Sequence, residues 1–208
     1  MKRFALTLSL VVLLSPQAFS QSQSEHPTVS PCALTLAQSP VIRGVKLGMS
    51  AQDLFALFPG SAERDEIKSA LAKVDEYPHF GLTEFYIGPS DYPTRDRFAG
   101  INQYYFVLFD GRVIRFQVYY SGPPIAPQWS QVDDFVAKVA EGLQLPPATQ
   151  WAKSTERTGK SLKCNGFQME AEILNAKGSL IVSIPDFDKK RNERRAAYDE
   201  KLRREFKP

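Results

Sequence analysis

The chain has 208 residues, with 26 Lys or Arg against 23 Asp or Glu and a formal charge of +3. That near balance gives no footprint for nucleic-acid binding. Two histidines and two cysteines leave little material for a metal cluster, and no CxxC, HExxH or EF-hand spacing occurs.

The first residues read as an export signal. Lys2 and Arg3 precede the short apolar run FALTLSLVVLL, Pro16 breaks it, and Ala18 and Ser20 supply small residues before a cut. A signal peptide over 1–20, cleaved after Ser20, is expected, which directs the chain to the periplasm or beyond. No cysteine stands at the cut, so no lipid anchor is expected. No later stretch approaches the ~18 apolar residues of a membrane span, so the mature chain should have no transmembrane segment. Residues 21–40 read as a flexible lead-in with a pinned patch at Cys32. An exported protein can form disulfides, and Cys32 and Cys164 are expected to pair.

The segment GVKLGMSAQDLFALFPG (44–60) carries a helix signature. Ser50 is an N-cap with Asp53 three residues on, Leu54, Leu57 and Phe58 share a face, and Pro59-Gly60 stops it. This segment resembles the opening of small bacterial envelope modules, the SmpA/OmlA-like and β-lactamase-inhibitor-like families. The resemblance implies short helices against an antiparallel sheet and a role in binding other proteins without catalysis. The chain departs from those families in lacking a lipobox cysteine and in inserting a long loop, so membrane anchoring and binding residues do not carry over.

Residues 61–80 are charged and mixed, either a second helix or irregular. LTEFYIG (82–88) reads as a strand, and 89–100, with two prolines and four charges, as a loop long enough to be functional. Residues 104–122 form a hairpin about Asp110-Gly111, a two-residue type I′ turn signal. Strict alternation puts Tyr105, Val107, Ile114, Phe116 and Val118 on a core face. The other face then holds Tyr104, Phe106, Leu108, Val113, Arg115, Gln117 and Tyr119. After a proline-rich link at 122–127, a helix capped at Ser130 carries Val132, Phe135, Val136, Val139 and Leu143 on one stripe. LKCNGFQMEAEIL (162–174) alternates as one strand, and SLIVSI (179–184) returns as the last. Residues 186–208 form a charged helix, with Tyr198, Leu202 and Phe206 as its apolar stripe.

About five strands joined by hairpins imply an α+β class with an antiparallel sheet packed by short capped helices. A single domain over 41–185 is expected. Its halves, 41–122 and 128–185, are a candidate degenerate repeat, since each opens with a capped helix before a hairpin.

The mixed hairpin face is the candidate functional surface, because aromatics and Arg are enriched at protein interfaces. Tyr104, Phe106, Arg115 and Tyr119 would form the patch, with Tyr92 and Arg95 at its rim; a helix or the tail could instead cover it. The resulting expectation is a non-catalytic binding or accessory protein, without cofactor, that contacts a protein or envelope component. The alternative is an envelope hydrolase with a site near the 89–100 loop and His79. Weaker chemistries are a Ca²⁺ site at Asp91 and Asp96 and a carboxylate pair at Glu170 and Glu172, set against a solvated loop and a solvent-facing strand.

Overall fold

The structure, a computed structural model, describes residues 32–76, 81–88, 98–122, 127–155 and 157–207. The signal segment, His26, His79 and the loop positions Asp91, Tyr92, Arg95 and Asp96 lie outside them.

The first helix, α1 (Ala51–Leu57), starts where its cap predicts. Ser50 Oγ accepts the Asp53 N–H at 3.1 Å and donates to the Asp53 carboxylate at 2.7 Å, which satisfies an end donor that has no partner within the helix. The 61–80 run, open on sequence grounds, carries a second helix, α2 (Asp65–Glu76). Then come β2 (Leu82–Ile87), β3 (Gln103–Phe109) and β4 (Arg112–Tyr120). Asp110 and Gly111 join the last two with φ of 50° and 68°, the left-handed pair that a type I′ turn requires. Helix α3 (Val132–Gly142) begins slightly later than Ser130 would cap it; Gln131 stands at its cap without a side-chain bond.

The α+β class is as expected, but the sheet has eight strands where the alternation suggested about five. One difference lies in 162–174. Gly166, at φ 91°, turns the chain there, so the segment is two strands, β6 (Gly159–Asn165) and β7 (Gln168–Leu174), followed by β8 (Lys177–Ser183). Two short additions, β1 (Cys32–Thr35) and β5 (Ala152–Lys153), pair with β6.

The strand order is β1-β6-β7-β8-β4-β3-β2. Every pairing is antiparallel except β1 with β6. The last strands of the two halves, β4 and β8, meet at the centre. Helices α1 to α3 share one core with the sheet, burying Leu54, Phe58, Ile67, Phe135 and Val136. Phe135 lies directly on Gly178, where a Cβ would overlap its ring.

The hairpin register differs from strict alternation by one residue. Val107 pairs with Arg115 but Leu108 with Val113, so Ile114 has no partner. This β-bulge lets adjacent residues face the same way. Tyr104, Phe106, Leu108, Val113, Phe116 and Val118 therefore form the core face, all fully buried. Tyr105, Val107, Ile114, Arg115, Gln117 and Tyr119 belong to the other.

The C-terminal helix, α4 (Phe187–Glu205), is held by its beginning. Phe187 packs on Val107 and Ile114. Arg194 stacks on the Phe109 ring at 4.4 Å and grips Asp110 through two hydrogen bonds of 2.6 Å each. Leu202 and Phe206, expected to pin this helix, are 48% and 74% exposed. With charges all around its surface, the helix has no continuous apolar stripe to bury.

Cys32 and Cys164 are bonded across a sequence separation of 132. Closing so long a loop in the unfolded chain gives a stabilisation of about 2–5 kcal/mol. Replacing both by Ala should therefore lower the thermal midpoint clearly under non-reducing conditions; an unchanged midpoint would show that the tether adds no stability. The Asp110–Arg194 pair makes a pH-dependent prediction. Hydrogen bonding to Arg194 holds the Asp110 carboxyl below its usual range, so the pair's contribution exists above the unfolded carboxylate value and fades as pH falls through the folded one. Both groups are partly exposed. Arg194→Ala should thus cost ~0.5–1 kcal/mol more at neutral pH than in acid, where only the lost stacking on Phe109 remains, as read by denaturant titration at both pH values.

Candidate functional site

The second face of the sheet is built from the outward residues of every long strand. Tyr86, Tyr105, Gln117, Ile181 and Glu170 lie in one row across it, and Gln103, Tyr119, Ser179 and Glu172 in the next. Phe187 covers the end beside the hairpin turn, and Arg157 closes over Glu170 and Glu172 towards the other side. Between them three tyrosines and Arg115 stay at the surface; Tyr86 is 50% exposed.

This face is ordered by polar contacts. The Tyr86 and Tyr105 rings meet at 4.7 Å between centroids, their planes tilted by 36°. The Tyr105 hydroxyl donates to Glu84 at 2.6 Å; burial, then this bond, pushes it well above a free phenol. Burial also raises the Tyr119 hydroxyl, reinforced by Glu172 and opposed by Arg157. Gln117 donates to Ser179 at 2.7 Å and to Glu172 at 3.4 Å. Arg157 approaches Glu172 at 3.2 Å and Glu170 at 3.5 Å. Arg115 buries its Nε without a hydrogen-bond partner among the described residues.

The structure divides the sequence-predicted patch. Arg115 and Tyr119 lie on the second face. Tyr104 and Phe106 do not: they stack 5.7 Å apart on the opposite side, in the aromatic core around Phe58. The physical reason is the bulge, which alternation cannot register. Tyr92 and Arg95 fall outside the described residues. Tyr86, which sequence reasoning missed as a surface member, was signalled by the alternation in LTEFYIG, where Phe85 and Ile87 point inward. The Glu170 and Glu172 carboxylates, expected on a solvent-facing strand, are instead buried and both close on the Arg157 guanidinium, one positive charge against two negative. No cluster of His, Cys, Asp and Glu suited to a metal occurs among the described residues, and none of the described helices is long and apolar enough to cross a membrane.

A separate groove of about 530 Å³ opens on the helix side. Ile42, Ile101, Tyr120, Trp129, Phe135 and Val139 supply walls. Tyr120 follows Tyr119 on β4 and so points to the opposite side. Burial pushes its hydroxyl up to about 12, against the opposing pull of the Arg43 guanidinium. Arg43 and Lys138, both exposed, add the charge.

Removing Arg157 would take its positive charge from two buried carboxylates, and truncating one partner of a buried ion pair costs roughly 3–5 kcal/mol. Because this guanidinium is 43% exposed, Arg157→Ala should cost less, about 1–3 kcal/mol. Urea unfolding would read this, and a loss indistinguishable from zero would show that water satisfies the carboxylates.

The chain matches no family model, no curated protein and no solved structure.

Proposed function

We propose that this protein is a non-catalytic binding or accessory module of the cell envelope, exported to the periplasm or beyond. It acts through the second face of its sheet on a protein or envelope component. The observation that carries this reading is the placement of Tyr86, half exposed, with Tyr105 and Tyr119 beside Arg115 on a face whose hairpin end Phe187 covers. Tyrosine gives large contact area with few rotatable bonds and a polar tip, and tyrosine and arginine dominate binding hot spots. The Tyr105–Glu84 bond and the Gln117–Ser179–Glu172–Arg157 contacts hold neighbouring side chains in place before any partner arrives, which reduces the ordering cost of association. The disulfide supports an oxidising compartment, in keeping with the export signal.

The test is capture from envelope extract with the unaltered protein and with Tyr86→Ala/Tyr105→Ala/Tyr119→Ala. Hot-spot truncations typically cost over ~1 kcal/mol each, so the captured partner should bind the triple variant at least about tenfold more weakly. Circular dichroism should show both proteins folded, since none of these side chains belongs to the main core. Equal capture by the two folded proteins would remove the second face as the binding surface.

A further inference from the structure

The groove on the helix side carries an inference that does not depend on the sheet-face reading. We propose that it binds a single-chain amphiphile ending in a carboxylate, the chemistry of a free fatty acid.

Size and lining come first. At about 530 Å³ the groove falls within the range of small-molecule sites, ~300–1,000 Å³. Its walls are mainly aliphatic and aromatic. Tyr120 and Trp129 both pack against Phe135, at 5.8 and 5.5 Å between ring centroids. Phe135 is in turn seated on Gly178, so these walls are fixed by the core.

Charge comes second. The described lining contains two cations, Arg43 and Lys138, and no acid. Lys138 pairs with Glu141 at 2.6 Å, but its side chain is 68% exposed, so it can swing to a stronger partner at little cost. Arg43 sits on a tight turn closed by the Ile42 and Val45 backbones, which exchange hydrogen bonds of 2.9 and 3.0 Å. Its φ of 52°, followed by 90° at Gly44, belongs to that turn, and Arg43 lines the groove. An apolar channel with cations at its solvent side complements an apolar tail with an anionic head.

Hydrogen bonding selects the tail. Among the described lining residues, side-chain polar atoms come only from Arg43, Tyr120, Trp129 and Lys138. A peptide laid in this groove would bury amides with few partners, at a cost of roughly 1–3 kcal/mol for each unsatisfied group. A hydrocarbon chain has no such groups, and its carboxylate can remain with the cations.

Trp129 is a built-in reporter. The other tryptophan, Trp151, is buried and donates to the Pro146 carbonyl at 3.2 Å. Delipidated protein would be titrated with 9,10-dibromostearate, a short-range fluorescence quencher, below its micelle concentration. The expected result is saturable quenching that Trp129→Phe abolishes. Stearate should compete at least tenfold better than octadecanol, and Arg43→Gln/Lys138→Gln should remove that advantage. Absent or non-saturating quenching would overturn the proposal, as would quenching that persists in Trp129→Phe. Equal competition by acid and alcohol would also overturn it, and because that comparison uses the unaltered protein, it decides the role of charge even if the double variant does not fold.

Discussion

The unpaired position of Ile114 fixes what each side of this sheet is for. A strand without a bulge sends alternate residues to alternate faces along its whole length. Here β4 contributes Val113 to the core, inserts Ile114, and then returns Phe116 and Val118 to that same core. Were Ile114 paired within the ladder and the Asp110-Gly111 turn kept, Tyr105 would meet Phe116, and β4 would meet β3 with one set of side chains reversed. Either Phe116 and Val118 would turn to solvent, or Tyr104 and Phe106 would. The bulge also brings Ile114 to the second face, where with Val107 it makes the apolar seat for Phe187. Thus one inserted residue closes the aromatic core and docks the final helix.

Docking at that seat is economical. Phe187 buries its ring, Arg194 covers the Phe109 ring and holds the turn residue Asp110, and Gly81 leaves room. A Cβ at Gly81 would lie 2.5 Å from both Arg194 Nη1 and Asp110 Oδ1. Its φ of 59° independently favours glycine. Beyond this contact the helix carries charges on all sides and exposes Leu202 and Phe206. Tyr86, meanwhile, stays 50% exposed on the second face. Farther along the second face polar side chains satisfy one another, as the strand residues Gln117, Ser179 and Glu172 do with Arg157 from the loop before β6.

What the sequence made legible were features specified over a few residues. Ser50 with Asp53 marks a helix start because the cap is a local bond. Asp110-Gly111 marks a turn because its backbone conformation is a property of those two residues. Two cysteines leave a single intramolecular pairing. The less legible features were set by tertiary contact. Ile114 differs in no chemical respect from its alternating neighbours, so nothing local announces a bulge. Asn165-Gly166 is a turn signal, but the apolar alternation beyond it, at Phe167, Met169 and Ala171, masked it. Leu202 and Phe206 have helical spacing with Tyr198 yet remain exposed, because spacing creates a face and cannot supply a surface to bury it. The groove was hidden for the same reason. Arg43, Tyr120 and Lys138 are far apart in sequence and meet only once α3 lies over the sheet.

Tyr119 and Tyr120 show how the two surfaces relate. They are neighbours on a central strand, and alternation sends one to the polar face and the other to the groove wall. Tyr119 pairs with Ser179 and Tyr120 with Gly178 on β8, and Tyr119 pairs with Gln103 on β3 as well, so the sheet holds the backbone of both. A close-packed sheet transmits strain but does not rotate a strand residue from one face to the other. Occupying the groove therefore leaves the tyrosine face available, and a partner on that face leaves the groove open. The two sites are separated by one layer of sheet, and this geometry allows both to be filled in the same molecule.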